Sequence, residues 1–235
     1  MADLLSAWAI VVGAGEGTRL GSDRPKAFVG LGDRVLLAHS VETFEEHVAI
    51  DGVVLVVPEG WEEPATLLAD DLAAGKVAAA VAGGATRAES VAAGLAEVPD
   101  DADLILVHDA ARPFASAELV TRVLEALGDA DGAVPGVPVT DTIKRVEHGR
   151  VAETPDRSQL VAVQTPQGFR AAALRSAYER PSNALAAATD CASLVEAAGG
   201  AVAVVAGEPG NIKITTASDL DEARRAAERA GRGRA

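Results

Sequence analysis

The 235 residues include 21 Lys plus Arg against 35 Asp plus Glu, and the formal charge of −14 argues against a nucleic-acid binder. Apolar residues make up 49% and charged residues 24%, and at this length a folded domain buries roughly 70–75% of its extended-chain surface, so a large core needs no disulfides. The lone Cys191 and the absence of any run near ~18 apolar residues exclude a disulfide scaffold and a membrane span.

Short β-branched runs bounded by Gly, Pro or Asp alternate with longer segments of helical period, which is the signature of a parallel sheet with crossover helices. Asp3 precedes the first apolar run and no Lys or Arg comes before Arg19, so no signal peptide is expected and the chain is assigned to the cytoplasm. The first strand is predicted over Trp8–Val12, the first helix over Val35–His47 and the second strand over Val53–Val57, ahead of Pro58. Thr86-Arg87-Ala88-Glu89 fits a capping box that opens a helix. Leu104–Val107 is a third apolar strand ending at His108 and Asp109, and Ser116 caps a helix through Leu127. Strands this uniformly apolar imply a sheet covered on both faces.

From about Pro138 to Gln167 the alternation breaks. Thr142–Val146, a turn at Glu147-His148-Gly149-Arg150 and Val151–Thr154 read as a hairpin, with Pro155 confining its second strand to an edge. This β-arm, at about 138–160, has too few apolar residues to bury itself on its own domain. It therefore either stays loose in solvent or docks on something, and the expected partner is a second subunit in a homodimer. Helical period resumes at Phe169–Arg180 and Cys191–Ala198, with strands near Ala201–Val205 and Ile212–Thr215. Ser218 is read as the cap of an acidic helix beginning at Asp219, and Gly231–Ala235 as a frayed tail. The fold class is α/β: a Rossmann-like mixed, mostly parallel sheet with helices on both faces and a projecting β-arm. No repeat or linker divides residues 1–235, which are read as one domain.

The most informative segment follows the first strand, Val11-Val12-Gly13-Ala14-Gly15-Glu16-Gly17-Thr18-Arg19-Leu20, and continues to Pro25-Lys26. A glycine-rich turn at the carboxyl end of a first parallel strand presents backbone N–H groups to an anion. The dinucleotide fingerprint fails because Thr18 stands where its third glycine is required, and a Walker A loop fails because Lys26 follows Pro25. What remains is a loop with Gly, Arg19 and Lys26 spaced to enclose a triphosphate; a plain glycine turn with solvated basic residues is the alternative. Lysine is scarce, four (Lys26, Lys76, Lys144, Lys213) against 17 arginines, so each lysine points weakly to a site wanting a compact ammonium. With aromatics at 3%, the core is built from Ala, Val and Leu, and a base-stacking surface has little material.

This segment resembles the nucleotidyltransferases that make nucleoside-diphosphate sugars and polyols. Further segments narrow the resemblance to the 2-C-methyl-D-erythritol 4-phosphate cytidylyltransferase family. They are Gly83-Gly84-Ala85-Thr86-Arg87-Ala88-Glu89-Ser90-Val91, Val107-His108-Asp109-Ala110-Ala111-Arg112-Pro113, Asp141-Thr142-Ile143-Lys144, Asp156-Arg157, Gln164-Thr165-Pro166-Gln167, Thr189-Asp190 and Asn211-Ile212-Lys213-Ile214-Thr215. They stand in family order over nearly the whole chain. Two departures are Val12-Gly13-Ala14-Gly15 in place of Pro-Ala-Ala-Gly, which leaves the amides intact, and Ala85 where the family often carries an acid.

The resemblance implies a nucleotidyltransferase fold and attack of a polyol phosphate on the α-phosphorus of CTP. A phosphate monoester is mostly dianionic at neutral pH, so no general base is sought among His39, His47, His108 and His148. The demand is for cations that bring two anions together and meet the charge of the transition state. By family resemblance, Arg19 and Lys26 stabilise that transition state, while Lys213 and Arg157 hold the incoming phosphate, Arg157 reaching a neighbouring subunit's site. Thr142, Thr165, Thr189 and Arg112 are expected at the polyol phosphate, with Thr189 a possible helix cap as well. Gly13, Ala14, Gly15 and Gly17 are expected at the phosphates, Arg87 and Ala110 at the substrate, and Gly83, Gly84 and Ser90 at cytosine. Uracil would set carbonyl against carbonyl there. Asp109 is the expected ligand of Mg²⁺ or its waters, the ion itself being held largely by the triphosphate. The rivals are a cytidylyltransferase for another polyol phosphate such as ribitol 5-phosphate, a non-catalytic nucleotide-binding module, and a dehydrogenase, against which the missing glycine counts.

Overall fold

The computed structural model describes residues 5–15, 17, 24–181, 185 and 188–232, the side chains of 228–232 excepted. Arg19 and the last residues of the tail therefore lie outside the described residues. In chain order the first strand β1 (Ala7–Val12) is followed by a minimal hairpin, β2 (Gly30–Leu31) and β3 (Arg34–Val35), then α1 (Leu36–Glu46) and β4 (Gly52–Val57). Next come α2 (Glu62–Asp71), β5 (Val77–Ala82), α3 (Arg87–Ala96), β6 (Leu104–Asp109), α4 (Ala117–Glu125) and β7 (Gly132–Pro138). The arm is β8 (Arg145–Glu147) and β9 (Arg150–Glu153). The chain closes with β10 (Val161–Val163), β11 (Gln167–Arg170), α5 (Ala171–Tyr178), α6 (Cys191–Ala197), β12 (Val202–Ala206) and α7 (Ala217–Arg232).

β1 lies between β4 and β6, parallel to both, and β5 extends the parallel set beyond β4. The antiparallel β11 joins β6 to β7, and β12 runs parallel to β7 while β10 pairs antiparallel with its end. The sheet is thus mixed and mostly parallel, as the sequence pattern predicts. Period-2 alternation sorts its side chains. Val11, Leu55 and Leu106 face one layer with Leu37, Val41 and Phe44 of α1 and Val120 and Val123 of α4. Ile10, Val56 and Val107 face the other, with Val91 and Leu95 of α3, Leu174 of α5 and Leu194 of α6. A third cluster, Leu31, Leu36, Ile214 and Leu220, fastens α7 to the β2–β3 hairpin. Each fully buried Val or Leu contributes roughly 1.5–3 kcal/mol of transfer free energy, enough for an aromatic-poor core when every residue of β4 and β6 is buried.

Several boundaries differ from the sequence reading. Helical period was expected from Phe169, but Gln167–Arg170 is a strand and the helix begins at Ala171, because a fully buried Phe169 is wanted in the sheet core. Ile212–Thr215 is irregular and pairs with no strand among the described residues; the Ile214 amide ties it to the Ala111 carbonyl at 2.9 Å, and the Ile212 amide bonds the Gly210 carbonyl at 2.9 Å. The last helix is capped by Thr216 rather than Ser218: Thr216 Oγ1 accepts from the Asp219 amide and Asp219 Oδ2 from the Thr216 amide, a reciprocal box that Asp219 completes as its third residue. The hairpin's first strand begins at Arg145, which leaves Thr142 outside it. The arm does project, with every residue from 141 to 154 exposed.

Candidate active site

The chain leaves β1 towards β4 and β5 and then returns to β6 on the opposite side of β1, so the connections diverge beside the carboxyl end of β1. Such a reversal opens a crevice. Here it is a pocket of about 260 Å³ lined by Gly13, Ala14 and Gly15 after β1, Gly84, Arg87 and Ser90 around the start of α3, Asp109 and Ala110 at the end of β6, and Lys26 and Lys213.

Local chemistry explains each wall. Thr86 caps α3, its side chain accepting from the Glu89 amide while the Glu89 carboxylate accepts from the Thr86 amide. The positive end of a 10-residue helix therefore faces the pocket, next to the Arg87 guanidinium. Gly83 admits no side chain: a Cβ there would stand 2.3 Å from Ala14 Cβ and 2.7 Å from Ser90 Oγ, so the β1 turn and α3 close on one another. Gly17, with φ +67°, packs so closely on Lys26 that a Cβ would lie 2.6 Å from Lys26 Cβ. The Gly13 amide donates to Val56 O and the Ala110 amide to Val12 O, so these two residues offer a ligand their surfaces rather than their N–H groups. Ser90 Oγ is directed to the Thr86 carbonyl at 3.0 Å and, more weakly, to that of Gly84 at 3.4 Å.

Asp109 sits between two cations. Arg87 Nε donates to its Oδ1 at 3.0 Å and Lys213 Nζ to its Oδ2 at 2.6 Å. Burial alone would raise the Asp109 pKa, but Arg87 and then Lys213 outweigh it and hold the carboxyl well below the usual range. For Arg87, burial opposes the charge and Asp109 more than restores it, so the guanidinium stays protonated. Among the described residues, three cations and one carboxylate line the pocket in a chain of charge −14, which suits it to an anion. No group of three or more His, Cys, Asp or Glu side chains stands together among the described residues, and both Asp109 oxygens are engaged. Asp109 is the one carboxylate among the described residues that line the pocket, so these residues do not by themselves form a Mg²⁺ cage.

Behind the pocket lies a buried polar network. The Arg112 carbonyl accepts from His108 Nε2 at 3.1 Å, so Nε2 carries the proton and Nδ1 accepts from Thr165 Oγ1 at 3.1 Å. Thr165 Oγ1 in turn accepts from the Asp109 amide at 3.0 Å. Burial, against the pull of Asp109, lowers the His108 pKa to about 4 and keeps the ring neutral. Arg112 donates to the carbonyls of Asn211 at 2.8 Å and Val163 at 3.3 Å. Thr165 and Arg112 thus stand just behind the pocket, the Thr165 hydroxyl and both terminal nitrogens of Arg112 engaged with the protein.

The remaining expected residues lie apart. Arg157, on a short turn at the base of the arm, donates to the Thr140 carbonyl, and Thr142 is exposed on the arm. Thr189 is exposed before α6, whose cap is Asp190: its Oδ1 accepts from the Ser193 amide at 2.9 Å, so Thr189 does not serve as that cap. Residues not singled out from the sequence also line the pocket, notably Thr86, whose capping box already marked it as standing at a helix start.

A family profile described as "IspD: 2-C-methyl-D-erythritol 4-phosphate cytidylyltransferase" matches residues 7–229. The chain is 49% identical over 219 residues to the 2-C-methyl-D-erythritol 4-phosphate cytidylyltransferase of Rhodococcus jostii (strain RHA1), covering 92% of each. It is 47% identical over 221 residues to the "Bifunctional enzyme IspD/IspF" of Nitratidesulfovibrio vulgaris (strain DP4), covering 91% of this chain but 56% of that relative, so it spans about half the length of such bifunctional proteins. Among solved structures, 4-diphosphocytidyl-2C-methyl-D-erythritolsynthase from Anaerococcus prevotii DSM 20548 superposes with a TM-score of 0.84 at 30% identity, covering 96% of this chain and 97% of that one.

Proposed function

The chain belongs to the 2-C-methyl-D-erythritol 4-phosphate cytidylyltransferase family, and from this premise we propose that it transfers the cytidylyl group of CTP to 2-C-methyl-D-erythritol 4-phosphate, releasing pyrophosphate and forming 4-diphosphocytidyl-2-C-methyl-D-erythritol, an isoprenoid precursor. The observation that carries the proposal is the meeting of Lys26, Arg87 and Lys213 around a glycine-walled pocket at the carboxyl ends of β1 and β6.

In the proposed reaction an oxygen of the acceptor's phosphate dianion attacks the α-phosphorus. A new P–O bond forms, the bond to the β-phosphate oxygen breaks, and pyrophosphate leaves with the electron pair. No proton moves in the step, which agrees with His108 being buried and neutral. Lys26 and Arg19 meet the charge that grows on the α-phosphoryl and leaving oxygens, and Lys213 exchanges its contact with Asp109 for phosphate. The Gly83–Ser90 segment is assigned to the cytosine. Mg²⁺ would be held largely by the triphosphate, with Asp109 the side chain nearest to hand for the ion or its waters, and would supply positive charge against the phosphates.

We also infer a homodimer. Val146 and Val151 on the arm are 58% and 61% exposed, and Val161, Val163 and Val204 are exposed beside its base, an apolar area that supports pairing with a second copy. Arg157, exposed at the base of that arm, is assigned to the partner's acceptor phosphate. Among the described residues no helix is long and apolar enough to cross a membrane; the single cysteine and the charged substrates support a cytoplasmic location. The substrate assignment is tested by pyrophosphate release with CTP and competing acceptors. A kcat/KM for 2-C-methyl-D-erythritol 4-phosphate well above that for ribitol 5-phosphate is expected, and the reverse order would reassign the acceptor.

A further inference from the structure

Lys213 is held by more than its own contacts. It lies in an irregular run between two fully buried residues, Asn211 and Ile214. The run opens with a β-turn in which the Asn211 amide donates to the Glu208 carbonyl at 2.9 Å, with Pro209 and Gly210 at the central positions. Gln164, buried on the separate segment between β10 and β11, braces that turn with its side chain. Its Oε1 accepts from the Glu208 amide at 3.0 Å, and its Nε2 donates to the Glu208 carbonyl at 2.7 Å and to the Asn211 carbonyl at 3.2 Å. All three partners are backbone groups whose donor or acceptor character is fixed, so the orientation of the amide is determined.

Asn211 ties the turn to the acceptor side of the pocket. Its Nδ2 donates to the Thr165 carbonyl at 2.8 Å, and its own carbonyl accepts from Arg112 at 2.8 Å. Its Oδ1 is buried without a hydrogen-bond partner among the described residues. A residue that leaves a polar atom unsatisfied in the core is poorly explained by stability alone and well explained by what it fixes in place.

We propose that Asn211 and Gln164 are positioning residues that act through Lys213, fixing its ammonium opposite Asp109 and in register with Arg112 and Thr165. The proposal rests on the cytidylyl transfer inferred above, in which Lys213 leaves Asp109 for phosphate. Neither amide touches substrate; both decide where the lysine stands when it does.

A double-mutant cycle tests it. Asn211→Asp keeps the shape of the side chain and replaces the donor facing the Thr165 carbonyl by an acceptor. It is expected to lower kcat by about tenfold or more while leaving the Kd for CTP alone within about twofold, and in a Lys213→Ala background to cost less than about twofold. Equal losses in the two backgrounds, or a loss matching the fraction of unfolded protein, would overturn the proposal. The four lysines also give a readout independent of turnover. With ¹³Cε-labelled lysine, assigned by Lys213→Arg, Asn211→Asp should move the Lys213 signal and leave those of Lys76 and Lys144 in place; an unmoved Lys213 signal would overturn the proposal even where Lys213→Ala is too slow to assay. Gln164→Glu, which leaves Asn211 intact, must reproduce both results and decides the matter should Asn211→Asp not fold. If wild type makes no cytidylyl product but the lysine signal moves as expected, the failure lies with the reaction and not with the positioning.

Discussion

Lys213 and Asp109, 104 residues apart in the chain, meet through a 2.6 Å contact between Nζ and Oδ2. The carboxylate in that contact is buried and the ammonium is partly exposed, so the cations serve Asp109 as much as it serves them. Its pKa is raised by burial and lowered further by Arg87 and Lys213, leaving it below an unfolded value of ~3.9. A depressed carboxyl pKa adds stability that is complete above the unfolded value and is lost as pH falls through the native one. Asp109→Asn is therefore expected to unfold about 2 kcal/mol more easily than wild type at pH 7, less than a fully enclosed pair would cost because Lys213 reaches solvent. In urea titrations the gap should narrow as the pH is taken below ~4; a gap as wide at pH 3 as at pH 7 would contradict the assignment.

His108 acts in the same direction but over a higher pH range, because its folded-state pKa is also depressed. Burial lowers its pKa to about 4, so the unfolded chain takes up a proton that the folded chain refuses. Stability should decline as pH drops from ~6.5 towards 4, by about 3 kcal/mol in all, and His108→Gln should flatten that part of the profile. A wild-type profile already flat between pH 4.5 and 6.5 would mean that the ring is charged in the native state.

Lys26 lines the pocket against Gly17. If it meets charge that is largest in the transition state, Lys26→Ala should lower kcat by roughly two orders of magnitude while weakening CTP binding far less. Stopped-flow and equilibrium binding separate the two, and a variant that lost only CTP affinity would move Lys26 to ground-state binding.

The arm gives a test of assembly. With Arg157 acting on a neighbour's site, mixing Arg157→Ala chains with Lys26→Ala chains should restore activity, because each mixed dimer holds one site with both residues intact. Failure to complement after demonstrated subunit exchange would place Arg157 in the site of its own chain.

Local signals in the sequence carried the parts of the site that are local. The glycine turn after β1, the capping box at Thr86 and the apolar run ending at Asp109 each need only a few neighbouring residues to be read. The pairing of Asp109 with Lys213 and Arg87 was not legible, because it is made by topology across long stretches of chain. Composition hid some elements as well. β5 is Val-Ala-Ala-Ala-Val-Ala, with little β-branched character, and β7 carries Pro135 and Pro138, which ordinarily argue against a strand interior. The Pro135 carbonyl nonetheless accepts from the Gln164 amide at 2.7 Å, so the strand keeps its bonding where proline has no N–H to give. At the last helix Thr216 and Ser218 compete as caps, and the Asp219 carboxylate, which bonds Thr216, decides between them.

Cytidylyl transfer is tested most directly by following phosphorus. In a ³¹P NMR time course with CTP, Mg²⁺ and 2-C-methyl-D-erythritol 4-phosphate, the acceptor's monoester signal should give way to two mutually coupled diphosphate signals, with one equivalent of pyrophosphate formed and little reaction when UTP replaces CTP. Pyrophosphate appearing with CMP and without acceptor, or an acceptor signal that persists while CTP stays intact, would contradict the account.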